Sequence, residues 1–136
     1  MQIVHPAETR SESRSITLKD PRFALAYCLT AQAHDDLYFS LLDHTPERRA
    51  RGDAAVKEAL RLRPDLPEVH LAMAYQAFNL AIVYARTGNP DLAFGELNIL
   101  IKTPGGVDYG ELKRNPSLDS LRDDPRFKAL LAQLAP

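Results

Sequence analysis

One stretch constrains this chain more than any other. From Pro67 to Thr87 it reads PEVHLAMAYQAFNLAIVYART, with no glycine or proline after the first position. Proline suits the first turn of a helix, where its missing N–H is not needed. Gly88 follows the last periodic residue and fits a C-terminal stop. Met73, Ala77, Leu80, Ala81 and Tyr84 recur at steps of three and four, which makes one apolar stripe. Tyr75, Asn79, Ile82 and Arg86 form a second, mixed stripe. A helix of this length spans about 30 Å and offers more than one face for packing. The expectation is a single unbroken rod against which the flanking segments close.

The flanks are consistent with that. Asp20-Pro21 and Thr45-Pro46 each pair a capping side chain with a proline at the first helical position, predicting helices over Pro21–Phe39 and Pro46–Arg63. In the first, Leu25, Cys28/Leu29, Gln32 and Asp36 share one side, and Phe23, Tyr27, Thr30/Ala31 and His34 the other. In the second, Ala50, Ala54 or Ala55, Val56, Ala59 and Leu60 are expected inward, with most of the arginines solvated. Pro64-Asp65-Leu66-Pro67 is a tight turn, and Gly88-Asn89-Pro90 another. Asp91–Lys102 then reads as a helix burying Leu92, Ala93, Leu97, Leu100 and Ile101. The glycine-rich Thr103–Gly110 is loop, Tyr109–Asn115 and Pro116–Leu121 are short turns, and Asp124-Pro125-Arg126-Phe127 opens a last helix with Phe127, Leu130, Leu131 and Leu134 on one side. No strand-like alternation occurs, so the fold class is all-α. Residues 1–19 are polar and mixed, and are expected to form a flexible N-terminal arm or the remnant of a preceding helix.

The rest of the composition excludes more than it assigns. A net charge of −1 gives no field that would draw the chain to nucleic acid or to an anionic membrane. No apolar run reaches membrane-spanning length, and the N-terminus lacks the apolar stretch of a signal peptide. A lone cysteine, Cys28, cannot build an internal disulfide framework. These features point to a cytoplasmic location, and a fragment of a longer chain would share them.

The helices come in pairs with a shared signature. Leu80-Ala81, Tyr84, Gly88, Ala93, Leu97 and Leu100 fall at the spacings of a tetratricopeptide repeat, with small residues at Ala81 and Ala93 where two helices approach. Ala77 stands where that family carries tryptophan. Tyr27, Thr30-Ala31, His34, Gly52, Val56, Ala59 and Pro64 match less faithfully, and this first pair is longer than the family's repeat, the excess lying around Tyr38–Pro46. His70, Met73-Ala74 and Ala77 repeat the opening a second time, seven residues earlier, so the central helix reads as two openings run together. The chain therefore resembles the tetratricopeptide repeat family, and in particular the C-terminal arrays of bacterial multi-domain signalling proteins. The resemblance covers residues 20–136. It implies an antiparallel helix-hairpin array, with hairpins at 20–64 and 67–102 and a C-terminal cap at 109–135. It also implies a non-catalytic protein-binding scaffold with no cofactor.

In such arrays the first helices of the pairs line a concave groove that receives peptides. Carried over, the lining here is Gln32 and Asp36 with Tyr75, Asn79, Ile82 and Arg86. Tyrosine and arginine are the side chains that most often anchor an interface, and the Asn79 amide is suited to a peptide backbone. Two pairs are few for a continuous core, so a second copy of the chain is expected on the uncovered face, with Tyr75, Phe78 and Ile82 at a homodimer interface. Three other readings are weighed. His34-Asp35-Asp36 would serve a small metal-dependent hydrolase, but no partner carboxylates accompany the other histidines; a core-edge histidine beside two solvated aspartates explains the same residues. Gly105-Gly106 lacks the pattern of a phosphate cradle. The arginines of Pro46–Arg63 are interleaved with Glu47, Asp53 and Glu58 and lack the aromatics that stack bases. Beyond these three, a purely structural or engineered repeat fragment is a further reading.

Overall fold

A computed structural model describes residues 20–136; the expected N-terminal arm, 1–19, lies outside them. The fold is all-α, with no strand among the described residues. Helices α1 (Pro21–Phe39), α2 (Pro46–Leu62), α3 (Pro67–Arg86), α4 (Pro90–Lys102), α5 (Tyr109–Arg114) and α6 (Pro125–Leu134) follow in order, with a 3₁₀ helix at Pro116–Leu121 between the last two. The chain divides into two compact units, one ending at Val69 and one running from His70 to Pro136. The division falls within α3, which runs unbroken through Ala77.

In the first unit α1 and α2 form an antiparallel hairpin. Asp20 caps α1 by accepting from the Arg22 N–H at 2.9 Å, and Thr45 caps α2 by accepting from the Arg48 N–H at 3.2 Å. Ala24, near the start of α1, packs with Ala59 and Leu62 at the end of α2, and Val69 completes this cluster. At the other end, His34 and Asp35 meet Arg48 and Gly52. The buried line of α1 is Ala24, Ala31 and Asp35, of which only Ala31 lies on either of the two expected sides. Small side chains let the helices approach, so the face in contact is the one with least bulk. On α2, Ala55, Val56 and Ala59 are buried as expected, whereas Ala50 is exposed and Gly52 and Leu62 are buried in addition. Gly52 marks the closest approach: a Cβ there would lie 2.2 Å from Asp35 Oδ1. Between the helices, Leu41 has the left-handed φ of 67° usually left to glycine, and its N–H donates to the Tyr38 carbonyl at 3.2 Å.

In the second unit α3 presents Ala74, Ala77, Ala81 and Ala85 to a single apolar cluster. Gly88, at φ 75°, ends the helix, and the Asn89 N–H donates back to the Tyr84 carbonyl at 2.9 Å. The chain then returns along α4, which contributes Ala93, Phe94, Leu97 and Leu100. Phe94 takes the inward place expected of Leu92, which faces solvent, and the Arg126 guanidinium covers its ring at 4.4 Å. Leu112, Leu118, Leu121, Phe127 and Leu130 close the cluster from the C-terminal segment. Asp124 repeats the Asp20 cap, accepting from the Arg126 N–H at 2.9 Å. The local motif is the same but its packing is not: Phe127 is buried and Phe23 exposed. Gly106 is tightly held, since a Cβ would meet the Leu100 carbonyl oxygen at 2.2 Å.

Candidate functional site

Of the residues expected to bind a partner, Gln32 and Asp36 are exposed on α1 in the first unit. Tyr75, Asn79, Ile82 and Arg86 follow one another along α3, the last four positions of the expected lining, all in the second unit. Their environments differ. Tyr75 is 39% exposed and Leu71, one turn before it, 56%. Asn79 Nδ2 donates one N–H to the Tyr75 carbonyl at 2.8 Å, which fixes the amide against its own helix and leaves its second N–H and its oxygen. Ile82 and Phe78 are half-buried against the unit's own apolar cluster, which leaves Tyr75 the most open of the three residues expected at a dimer interface. On α4, Leu92 and Ile99 lie two turns apart and are 54% and 44% exposed.

Arg86 turns towards the C-terminal segment. Its Nη2 donates to Ser117 Oγ at 3.1 Å, and Ser120 Oγ donates to the Ala85 carbonyl at 3.1 Å. Together with Pro116 these residues line a shallow, open hollow of about 320 Å³. Pro116, Ser117 and Ser120 were not among the sequence candidates. The Asn115-Pro116-Ser117 turn is visible in the sequence, and Asn115 Oδ1 does accept from the Ser117 N–H at 2.9 Å; nothing local, however, tells that it lies against Arg86, 31 positions earlier.

His34, Asp35 and Asp36 occupy three different settings. His34 Nδ1 is 2.7 Å from Arg48 Nη1, which can only donate, so the nitrogen accepts and the ring is neutral. Desolvation, then the charges of Arg48 and Arg51, hold its pKa below the ordinary histidine value. Arg48 in turn donates to Asp43 Oδ2 at 2.9 Å, and Thr45 donates to Asp43 Oδ1 at 2.7 Å. Asp35 is 1% exposed, against the expectation of a solvated carboxylate, while Asp36 is exposed. The buried aspartate occupies the space that Gly52 leaves between the helices. Among the described residues no group of three His, Cys, Asp or Glu side chains is placed to hold a metal ion. Cys28 is half-buried with Sγ 3.8 Å from the Glu68 carbonyl oxygen; desolvation and the Glu68 charge raise its pKa, which keeps the thiol protonated and unreactive. The basic residues of α2 are largely paired along their own helix: Lys57 with Asp53 at 3.1 Å, Arg49 with Asp53 at 3.7 Å, and Arg61 with Glu58. No helix among the described residues is long and apolar enough to cross a membrane.

Comparison of the chain with protein-family models, curated proteins and solved structures gives no match.

Proposed function

We infer that this protein is a non-catalytic interaction module that binds another protein through exposed helix faces. One observation carries the reading. Within the second unit, Leu71 and Tyr75 on α3 and Leu92 and Ile99 on α4 are large apolar side chains left at 39–56% exposure beside a well-filled core. Large apolar side chains exposed one turn apart on α3, and two turns apart on α4, are the kind of surface a protein partner can cover. Burying the half of one such side chain that is still exposed is worth about 1 kcal/mol before the ordering of the partner is subtracted. The tetratricopeptide character, the affinity with arrays of bacterial signalling proteins and the cytoplasmic setting belong to this same proposal. It rests on the spacing of Leu80-Ala81, Tyr84, Gly88, Ala93 and Leu97, and requires neither cofactor, nucleic acid nor membrane.

The partner is a protein segment that covers Leu71 and Tyr75, and a second copy of the chain is one candidate for it. A random peptide library displayed on phage and selected against the full chain tests the reading. Selected peptides should lose affinity for the Leu71→Ser/Tyr75→Ala variant while that variant keeps its helical spectrum. Peptides that bind wild type and variant alike would refute it. Sedimentation equilibrium distinguishes the self-association form: a dimer that Tyr75→Ala converts to monomer assigns the face to a second copy.

A further inference from the structure

The hollow at the end of α3 has a chemistry of its own. Most arginines of the described chain have a carboxylate close by: Arg22 with Asp20, Arg48 with Asp43, Arg49 with Asp53, Arg61 with Glu58, Arg63 with Asp65, Arg122 with Asp119, and Arg126 with both Asp91 and Asp124. Arg86 has none. Its one hydrogen bond goes to a neutral hydroxyl, Ser117 Oγ. A guanidinium has five N–H donors in a planar fork suited to two oxygens of a carboxylate, so most of this fork is still open. Because Ser117 Oγ accepts from Arg86, its own O–H is free to donate. Ser120 cannot compete for the same ligand, since its proton is committed to the Ala85 carbonyl.

Two further features bear on the sign and size of what fits. The carbonyl end of a helix repels anions when left bare. Here three of the last four oxygens are occupied: Ala85 by Ser120, Tyr84 by the Asn89 N–H, and Val83 by the Thr87 N–H and hydroxyl. The remaining walls, Ala85 and the Pro116 ring, are aliphatic. A single positive charge with one hydroxyl donor beside an aliphatic wall matches a monoanion carried on a methylene stem.

We propose that the Arg86–Ser117 hollow, lined by Ala85 and Pro116, binds a carboxylate from an acidic side chain of the protein partner. The carboxylate takes two guanidinium N–H bonds from Arg86 and one from the Ser117 hydroxyl, and its methylenes rest on Pro116. A phosphate dianion is the poorer fit, because no second cation faces the site. This deepens the interaction reading, and rests on it, by giving the partner an acidic residue beside its apolar ones.

The test is a titration of the isotope-labelled full chain, followed by NMR at the Ser117 and Ser120 amides and the Arg86 side-chain N–H. The probes are sodium acetate, a capped peptide with one glutamate, and inorganic phosphate, each against sodium chloride at equal ionic strength. Saturable shifts at these three residues are expected with acetate and with the peptide, stronger with the peptide. Arg86→Gln should weaken both by about tenfold or more, the effect of losing charge-assisted bonds, and Ser117→Ala less, with unchanged circular dichroism. Shifts that chloride reproduces would overturn the site, and tighter binding of phosphate than of acetate would overturn the carboxylate assignment. If the site fails while selected peptides still need Leu71 and Tyr75, the carboxylate inference falls and the interaction reading stands. If the acetate site holds while no peptide needs those residues, the interaction reading falls, and with it the assignment of the carboxylate to a protein partner.

Discussion

Replacing Gly52 with alanine sets two effects of known sign against each other. In the middle of a helix, glycine to alanine ordinarily stabilises by about 1 kcal/mol, because the glycine backbone loses more freedom on folding. Here the new methyl would sit 2.2 Å from Asp35 Oδ1 and 3.2 Å from Asp35 Cγ, with His34 Cβ at 3.6 Å. The carboxylate must retreat by about 1 Å to reach ordinary contact. An exposed aspartate would swing aside at little cost, but Asp35 is 1% exposed and already engaged. Overpacking costs about 1–3 kcal/mol, and disturbing the bonds of a buried charged group a similar amount or more. The collision outweighs the gain, and Gly52→Ala should destabilise by roughly 2–3 kcal/mol. Urea unfolding followed by circular dichroism measures this. In an Asp35→Ala background the obstruction is gone, so the same substitution should become neutral or stabilise by up to about 1 kcal/mol, and the difference between backgrounds is the coupling energy. A Gly52→Ala protein more stable than wild type would refute the reasoning, because α1 and α2 could not then be in contact at this point.

Other consequences can be measured in the same way. Gly106→Ala drives a methyl onto the Leu100 carbonyl oxygen, which belongs to the backbone and cannot rotate away; a loss of about 3 kcal/mol or more is expected in thermal melts. Asp124→Ala removes the cap of α6 and should cost about 1 kcal/mol, with Asp124→Asn retaining most of it. The folded His34 binds its proton less readily than the unfolded one, so the unfolded state holds more protons in the window below the ordinary histidine value of 6.5. Its contribution to stability is therefore complete above pH 6.5 and lost as the pH falls from there through the depressed folded value. His34→Gln should flatten the stability profile over that window, and an unchanged slope would contradict the Arg48–His34 hydrogen bond.

What the sequence made legible was local. The capping side chains at Asp20, Thr45 and Asp124, the prolines that follow them and the glycine stop at Gly88 act within a few residues, so helix bounds followed from them closely. The inward faces did not follow as well. Helical spacing placed Leu92 inside and overlooked Phe94, and on α1 it took in Ala31 but missed Ala24. Closeness of approach, which decides such faces, is a property of two helices and not of one. The same holds for Asp35, whose burial depends on the absence of a side chain at Gly52, and for Arg86, whose contact with Ser117 joins distant parts of the chain. The bond from Asn79 to the Tyr75 carbonyl, one turn back, is likewise invisible in the residue type alone.

The binding face is tested most directly by what happens to α3 when a partner binds. Hydrogen–deuterium exchange of the full chain, with and without a saturating selected peptide, reads this residue by residue. Slower exchange at residues 71–82 of α3 and at the α4 stretch from Leu92 to Ile99 is the predicted result, joined by Arg86 and Ser117 when the peptide carries an acidic residue. Tight binding that leaves those residues exchanging as in the free protein would contradict it.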